Sequence, residues 1–319
     1  MARKTRPSPH AATSRGLLVL LGASVFALFA LVWVHGNLPT ASAHLAPAAA
    51  NLTLPPSTFA ISDAESHDAV RLQAALDRMG FDLEAVAHGY MSVPSMQVAT
   101  LPPDLDHLDA IDDRKSLFLR LLLPVVLQVN ERIGADRSHL LALRTKMNAG
   151  VTLEADEVQW IMTQADAYDQ PDADVEALLR KIDVIPPSLA LAQAIEESGW
   201  GTSRIARQGN ALFGQFGQDE DGDWNYRNFA TLTDAVAAYV HNLNTHRAYR
   251  EFRLSRAHMR SHGGDIDAWN LATTLHRYSE RGDEYVQSLR VIMQNNGLEA
   301  FDSARLNVRR VAMIVARAD

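Results

Sequence analysis

The stretch from residue 186 to residue 201 most constrains how this chain folds. Pro186-Pro187-Ser188 is typical of a helix start, with Ser188 as the capping residue. The apolar stripe of this helix consists of Leu191, Ala194 and Ile195. Gly199-Trp200-Gly201 must end the helix, because glycine adopts the left-handed backbone that closes helices. The sequence therefore predicts a helix that carries Glu196 and Glu197 in its last turn.

Helical periodicity dominates the rest of the chain. It extends from Ala60 to about Val93 and begins again near Asp113, in a long helix that Pro124 is expected to kink. Further helical patterns cover residues 153–167, 232–243, 269–275 and 285–293. Strand-like alternation occurs in Leu212–Phe216 and Trp224–Phe229, on either side of the turn signal Asp221-Gly222. The fold class predicted is α+β, mostly helical, with a small β-hairpin lobe.

Composition excludes several classes of function. The net charge of -8 argues against nucleic-acid binding, which requires a basic surface. The absence of cysteine excludes disulfides, thiolate metal sites and cysteine nucleophiles. His241 and His246 are five positions apart, whereas one helix face needs a spacing of four for a shared metal. We therefore expect no metal, no cofactor and no nucleic-acid partner.

The amino-terminal segment predicts a membrane location. Residues 1–15 are basic, and the uncharged run Gly16–Val34 is long enough to cross a hydrocarbon core of roughly 30 Å. The positive charge before this transmembrane signal anchor keeps residues 1–15 cytoplasmic and directs the rest of the chain outward. Ala41-Ser42-Ala43 leaves open the alternative of a cleaved export signal. Residues 35–58 form an Ala- and Pro-rich linker.

The two adjacent glutamates have different prospects as catalytic acids. They point about 100° apart on a helix, so they do not face one site together. Ala190 and Ala194 precede Glu197 on its own side, and their low polarity favours a raised carboxyl pKa. Such an acid can protonate a leaving oxygen, and the indole of Trp200 offers an apolar face to a sugar ring. This combination indicates glycoside hydrolysis.

Several spaced motifs resemble one enzyme family. Residues Ala192–Ser203 and Gly209–Gly214 resemble the glucosaminidase domain of glycoside hydrolase family 73. Residues Tyr239–Arg250 and Leu275–Gly282 more closely resemble the Bax-type envelope proteins of Gram-negative bacteria. The resemblance covers about Ser116 to Leu298.

The resemblance implies a lysozyme-like fold that hydrolyses the β-1,4 bond after N-acetylglucosamine in peptidoglycan. It implies that Glu197 is the general acid and that Tyr278 is an active-site tyrosine. The second acid is expected in the hairpin, where Glu220 is preferred among Asp219, Glu220, Asp221 and Asp223. The residues expected to bind substrate are Trp200, Asn210, Phe213 and Tyr285.

The expected organisation is an N-terminal helical extension over 59–115, a glucosaminidase domain over 116–300 and a C-terminal tail over 301–319. The protein is expected in the bacterial inner membrane as a single-pass protein, with its catalytic domain in the periplasm and peptidoglycan strands as its partner. Two alternatives remain open: a lytic transglycosylase, which uses one glutamate on a similar fold, and a glycan-binding scaffold without turnover.

Overall fold

A computed structural model describes residues 58–218, 224–263 and 265–315 of the chain. The helices are α1 (Asp63–Ser66), α2 (Ala69–Arg78), α3 (Leu83–Ala87), α4 (Ile111–Asn148), α5 (Ala155–Ala167), α6 (Val175–Lys181), α7 (Pro187–Ser198), α8 (Arg204–Gly209), α9 (Leu232–Thr245), α10 (Arg250–Ser261), α11 (Ala268–Leu271) and α12 (Asp283–Asn295). The strands are β1 (Thr58–Ser62), β2 (Val93–Gln97), β3 (Phe216–Gln218), β4 (Trp224–Tyr226) and β5 (Leu306–Val315). The mostly helical α+β class is confirmed.

A three-stranded parallel sheet joins parts of the chain that are far apart in sequence. Strand β5 is central, with β1 and β2 on its two sides, and Thr58 pairs with Val311 while Val93 pairs with Leu306. The segment 59–115, expected to be a helical extension, therefore contains two strands as well as α1 to α3. The segment 301–319, expected to be a tail, supplies the central strand. Each strand finds its partners more than 200 positions away, which local periodicity does not reveal.

Helix α4 is the longest element and packs against both α7 and α9. It continues through Pro124, although a proline removes one backbone hydrogen bond and usually costs about 3 kcal/mol inside a helix. The residues around Pro124 are buried, including Leu121, Leu122 and Val125. Burial of this apolar segment offsets the cost of the proline.

Helix α7 lies in the core, and ten of its twelve residues are buried. Its amino terminus is held from a distant segment. The carboxylate of Asp302, in a 3-10 helix over Leu298–Ser303, accepts hydrogen bonds from the backbone N–H of Ser188 at 2.7 Å and from its hydroxyl at 2.8 Å. Ser188 was expected to cap the helix itself; instead Pro186 occupies the capping position and Asp302 supplies the acceptor. Burial raises the pKa of Asp302 to about 6.

The segment just before α7 is fixed by a buried ionic cluster. Asp183 is 1% exposed, and Arg260 of α10 donates to its two carboxylate oxygens at 2.7 Å each. The fully buried Arg256 donates to the backbone carbonyls of Asp183 and Val184. These contacts fasten the connection between α6 and α7 to α10, so the direction in which α7 enters the core is set at both the connection and the cap.

The predicted hairpin is present but shorter than expected. Strands β3 and β4 are antiparallel, and Phe216 pairs with Tyr226. Leu212 and Phe213, expected to begin the first strand, lie in a turn instead. The connection at 219–223, which carries Glu220, lies outside the described residues.

The proposed membrane segment Gly16–Val34 also lies outside the described residues. Across residues 58–218, 224–263 and 265–315, no helix combines the length and the apolar character that crossing a membrane requires.

Replacing Asp302 with Ala should destabilise the protein. It leaves two donors of the buried Ser188 without an acceptor, and the expected cost is about 2 kcal/mol, or a melting temperature lower by ~4–8 °C. Thermal unfolding at about pH 5 is the suitable measurement, because the carboxyl with pKa about 6 is then mostly protonated and removing it relieves no buried charge.

Glu299→Ala is the matched control for Asp302→Ala, since Glu299 lies in the same 3-10 helix and is exposed. Its melting temperature should stay within about 1–2 °C of the unmodified protein. Equal melting temperatures for the two variants would contradict the capping role of Asp302.

Candidate active site

The site begins where α7 ends. Gly199, Trp200 and Gly201 have φ values of 59°, 61° and 75°, so three successive residues adopt the left-handed region. The hydroxyl of Ser198 accepts from the Gly201 N–H at 2.9 Å, which locks this turn. A Cβ at Gly201 would lie 2.6 Å from a methyl carbon of Leu101. Glycine is therefore required there for steric as well as conformational reasons, and the helix stops directly after its glutamates.

Glu197 is only partly exposed, and burial raises the pKa of its carboxyl to about 7. Ala190 and Ala194, the two small residues on its side of α7, are fully buried. Loss of hydration in these buried surroundings disfavours the charged carboxylate, and a wall formed by the two alanines stays a prediction. A carboxyl with this pKa is about half protonated near neutral pH, so it can donate a proton and afterwards hold the negative charge.

Glu196 points to a different partner. Its carboxylate lies 2.5 Å from a guanidinium nitrogen of Arg281, and Arg281 also donates to the hydroxyl of Ser288 on α12. Its negative charge contributes to the raised pKa of Glu197 after burial. The prediction that the two glutamates face different surroundings is confirmed, and Glu196 is held as an ion-paired carboxylate.

Five tyrosines from different elements surround Glu197. Burial raises the pKa of each of them, and the charge of Glu197 raises it further: Tyr226, Tyr239, Tyr249, Tyr278 and Tyr285. The rings of Tyr278 and Tyr285 are stacked with centroids 5.5 Å apart. Tyr285 also hydrogen bonds the carboxyl of Glu197, which lowers the pKa of that carboxyl and limits the effect of burial. These tyrosines are therefore neutral in the pH range where Glu197 titrates, and Tyr285 bonds it directly.

The turn at Phe213-Gly214 packs directly against the acid. A Cβ at Gly214, where φ is +61°, would lie 2.8 Å from Oε2 of Glu197, so only glycine allows this approach without a shift of the carboxyl. Tyr278 donates its hydroxyl proton to the carbonyl of Phe213 at 3.0 Å. Tyr278, expected in the active site, therefore lies beside Glu197 and also holds the turn that borders it.

Three residues expected to bind substrate are buried. Phe213 is 1% exposed and stacks on Tyr239 at a centroid distance of 3.9 Å. Asn210 caps α8 with a left-handed backbone, and its amide donates to the carbonyl of Phe229 at 2.9 Å. Tyr285 is 1% exposed and bonds Glu197 rather than facing solvent. Because burial leaves these side chains little surface for a sugar, the structure gives them supporting positions around the acid.

Trp200, the fourth expected binding residue, is half-buried against α4. Its ring meets Phe118 edge-on with centroids 5.9 Å apart, and Nζ of Lys115 lies 5.1 Å from the centroid of the indole. These contacts hold a tryptophan in a backbone conformation that non-glycine residues rarely adopt. Sugar stacking on the remaining surface of the indole stays a prediction.

The described residues contain no group of three or more His, Asp or Glu that could hold a metal ion. The two histidines weighed as ligands have other contacts. His241 makes a 2.8 Å hydrogen bond with the carbonyl of Ala167, and His246 accepts from the N–H of Ala248. Glu220, the expected second acid, lies outside the described residues, so its distance from Glu197 stays open.

Comparison with known proteins agrees with this site. A family model named Glucosaminidase and described as mannosyl-glycoprotein endo-beta-N-acetylglucosaminidase matches residues 172–298, which include Glu197 and all five tyrosines. Protein bax of Escherichia coli strain K12 is 33% identical over 206 residues, covering 61% of this chain and 74% of that protein. This chain belongs to the glucosaminidase family. The expected resemblance to the glucosaminidase domain and to Bax-type proteins is confirmed.

A solved structure was also found to be similar, the catalytic domain of the autolysin Auto from Listeria monocytogenes. It is 15% identical and is covered over 96% of its length by 50% of this chain, with a TM-score of 0.28. This score is too low to establish a shared fold. The assignment to the glucosaminidases rests on the family model and on the bacterial relative.

Sequence reasoning missed four residues of this site. Gln193 and Tyr239 are fully buried near Glu197, and Tyr226 and Tyr249 are close enough for the charge of Glu197 to affect their pKa. The sequence did contain a signal for Gln193. It is a polar residue four positions, about one helical turn, before Glu197, in a mostly apolar helix. The tyrosines carried no local signal, since they come from separate elements.

Replacing Glu197 with Gln should stabilise this glucosaminidase at neutral pH. The folded-state pKa of about 7 lies above the usual 4.5, so the folded protein binds more protons between these values and loses stability as pH rises through that window. The loss amounts to at most about 3 kcal/mol and is absent in Glu197→Gln. Melting temperatures of the two proteins should coincide below about pH 4.5 and diverge up to about pH 7.

Glu196→Gln is the matched control, because it removes a neighbouring carboxylate that is paired with Arg281. The melting temperature of Glu196→Gln should not exceed that of the unmodified protein at any pH in this range. A constant difference in melting temperature between Glu197→Gln and the unmodified protein across this pH range would contradict a strongly raised pKa at Glu197.

Proposed function

We propose that this protein is a peptidoglycan hydrolase, an endo-β-N-acetylglucosaminidase that cleaves the β-1,4 bond after N-acetylglucosamine with Glu197 as general acid. The observation that carries the proposal is the raised pKa of Glu197, about 7, at a partly exposed carboxyl among tyrosines. Membership of the glucosaminidase family supports the reaction class. Peptidoglycan as substrate and a lysozyme-like fold are the parts of the proposal that depend on the family resemblance.

The proposed first step is proton transfer from Glu197 to the glycosidic oxygen. The bond from the anomeric carbon to this oxygen breaks as the proton arrives, and positive charge develops on the sugar ring. The carboxylate left on Glu197 is stabilised by the hydrogen bond from Tyr285. If the reaction retains the anomeric configuration, this carboxylate then accepts a proton from the attacking water, which restores the acid. If it inverts, the second carboxylate takes the proton of the water, and Glu197 is reprotonated from solvent.

The positive centre on the sugar needs a second group, and we propose Glu220 on the hairpin. Tyr226 of β4 lies within the electrostatic reach of Glu197, so the hairpin borders the acid. A separation of about 6.5–9.5 Å between the two carboxyl groups would leave room for a water and give inversion of the anomeric centre. A separation of about 5–5.5 Å would favour a covalent intermediate with retention. As a third alternative, the substrate's own acetamido group could stabilise the positive charge on the sugar in place of a second carboxylate.

Replacing Glu197 with Gln should reduce cleavage of purified peptidoglycan by at least ~10²-fold, because an amide keeps the shape of the carboxyl but delivers no proton. Glu196→Gln should retain most activity, since Glu196 is paired with Arg281 away from the reacting proton. The release of soluble fragments measures both. Equal loss in the two variants, or full activity in Glu197→Gln, would contradict the assignment.

Mass spectrometry of the same digests identifies the reaction. Products that end in reducing N-acetylglucosamine support the proposal. Products with anhydro ends would indicate a lytic transglycosylase, and binding of peptidoglycan without cleavage would indicate a scaffold. Both of these results would overturn the proposed hydrolysis while leaving the family assignment in place.

We further propose that the protein is anchored in the bacterial inner membrane by Gly16–Val34, with residues 1–15 in the cytoplasm and the catalytic domain in the periplasm. The full-length protein should then pellet with membranes and keep its amino-terminal residues. Mature protein that begins near His44 in a soluble envelope fraction would show cleavage after Ala41-Ser42-Ala43 instead. Digestion by protease from the cytoplasmic side alone would contradict the periplasmic location.

A further inference from the structure

A chain of buried hydrogen bonds leads to the proposed acid. The hydroxyl of Tyr239 on α9 is 2.7 Å from Oε1 of Gln193, and Nε2 of Gln193 is 3.0 Å from the hydroxyl of Tyr285 on α12. Tyr285 in turn hydrogen bonds the carboxyl of Glu197. Tyr239 and Gln193 are 0% exposed and Tyr285 is 1% exposed, so water does not compete for these contacts.

The direction of each hydrogen bond in this series follows from the orientation of the Gln193 amide, whose oxygen faces Tyr239 and whose nitrogen faces Tyr285. The distance from Tyr239 to Gln193 is typical of an O–H···O bond, and the distance from Gln193 to Tyr285 is typical of an N–H···O bond. The amide nitrogen of Gln193 can only donate, so the oxygen of Tyr285 must accept. Tyr285 has a single proton left, and its remaining partner is Glu197. Tyr285 is therefore held as a donor to the carboxyl.

We propose that Gln193 and Tyr239 are positioning residues that act through Tyr285 on the acid of the proposed reaction. Tyr239 sets the orientation of the Gln193 amide, and the amide sets the direction of the Tyr285 hydroxyl. This hydroxyl occupies one oxygen of Glu197, so the transferable proton of the acid resides on the other oxygen. This relay runs from Tyr239 through Gln193 and Tyr285 to Glu197. Its consequence in catalysis rests on the proposed function, whereas its hydrogen-bond directions do not depend on that function.

The relay makes a specific claim about the ionisation of Glu197. A donor to a carboxyl stabilises the charged form, so loss of the donor should raise the pKa of Glu197 above about 7. Among the residues that the structure describes, the other ionisable groups that act on Glu197 or face it are Glu196, Arg281, Tyr226, Tyr249 and Tyr278. None of these belongs to the relay, so the Tyr285, Gln193 and Tyr239 variants leave them in place, and Tyr249 is changed only in the control.

The test is a carbon NMR titration of the Glu197 carboxyl in the whole protein, with its resonance assigned by its loss in Glu197→Gln. Tyr285→Phe should raise the pKa by about one unit. Gln193→Met and Tyr239→Phe should raise it in the same direction by several tenths of a unit, because the Tyr285 hydroxyl is then less constrained to donate. Tyr239→Phe removes a single oxygen and decides the question if Gln193→Met does not fold.

Tyr249→Phe is the matched control. Tyr249 is a buried tyrosine of the same cluster, but its hydroxyl bonds Asn242 and not the relay. The pKa of Glu197 should remain unchanged in this variant even if the melting temperature falls as in Tyr239→Phe. A rise equal to that in Tyr239→Phe would mean that any lost hydroxyl has the effect, and it would overturn the relay.

Two further results would also overturn it. A fall in the pKa of Glu197 in Tyr285→Phe would show that Tyr285 accepts from the acid. An unchanged pKa of Glu197 in both Gln193→Met and Tyr239→Phe would show that these residues only fill space. Digestion of peptidoglycan adds a separate readout. The pH above which activity declines should rise in each variant as the titrated pKa of Glu197 rises. If the unmodified protein cleaves nothing, the proposed function fails while the titration still decides the relay.

Discussion

The burial of α7 is the constraint on which the site depends. Glu196 and Glu197, in the last turn of this core helix, are its two residues that are not buried. The side chain of Glu197 therefore emerges from apolar surroundings, and its pKa rises because its charge loses hydration. The two ends of the helix are fixed by different means, by the Asp302 carboxylate at the start and by left-handed residues at the end. Because the two glutamates point about 100° apart, a rotation of that size would be needed to exchange their environments, and these contacts prevent it.

The surroundings of Glu197 balance two opposing requirements. A proton donor needs low polarity to stay protonated near neutral pH, but the carboxylate that remains after transfer needs hydrogen bonds. Tyrosines satisfy both, since their rings exclude water and their hydroxyl groups stay neutral under these conditions. The close approach of Gly214 leaves little freedom for the carboxyl on that side. The environment is therefore both apolar and directional, which is what a proton transfer of fixed geometry requires.

The elements that local patterns describe were predictable, and those that depend on distant partners were not. The end of α7 and the pairing of the hairpin strands follow from short-range glycine signals and periodicity. The pattern from Ala60 to Val93 was interpreted as helical, but three short helices and two strands occupy the region around it. Local periodicity does not predict strands β1 and β2, because β5, which pairs with both, lies more than 200 positions further along the sequence.

The sequence by itself determined which glutamate is proposed as the acid and which helix carries it. Two adjacent glutamates project in different directions on any helix, and only Glu197 follows the alanines predicted to make a low-polarity wall. Tertiary structure alone decided what the acid touches. Tyr239, Tyr249, Tyr278 and Tyr285 come from separate segments, and only the packing of these segments brings them close enough for the charge of Glu197 to affect their pKa. Side-chain spacing fixes directions within one helix, whereas burial and hydrogen-bond partners are set by contacts between segments far apart in the chain.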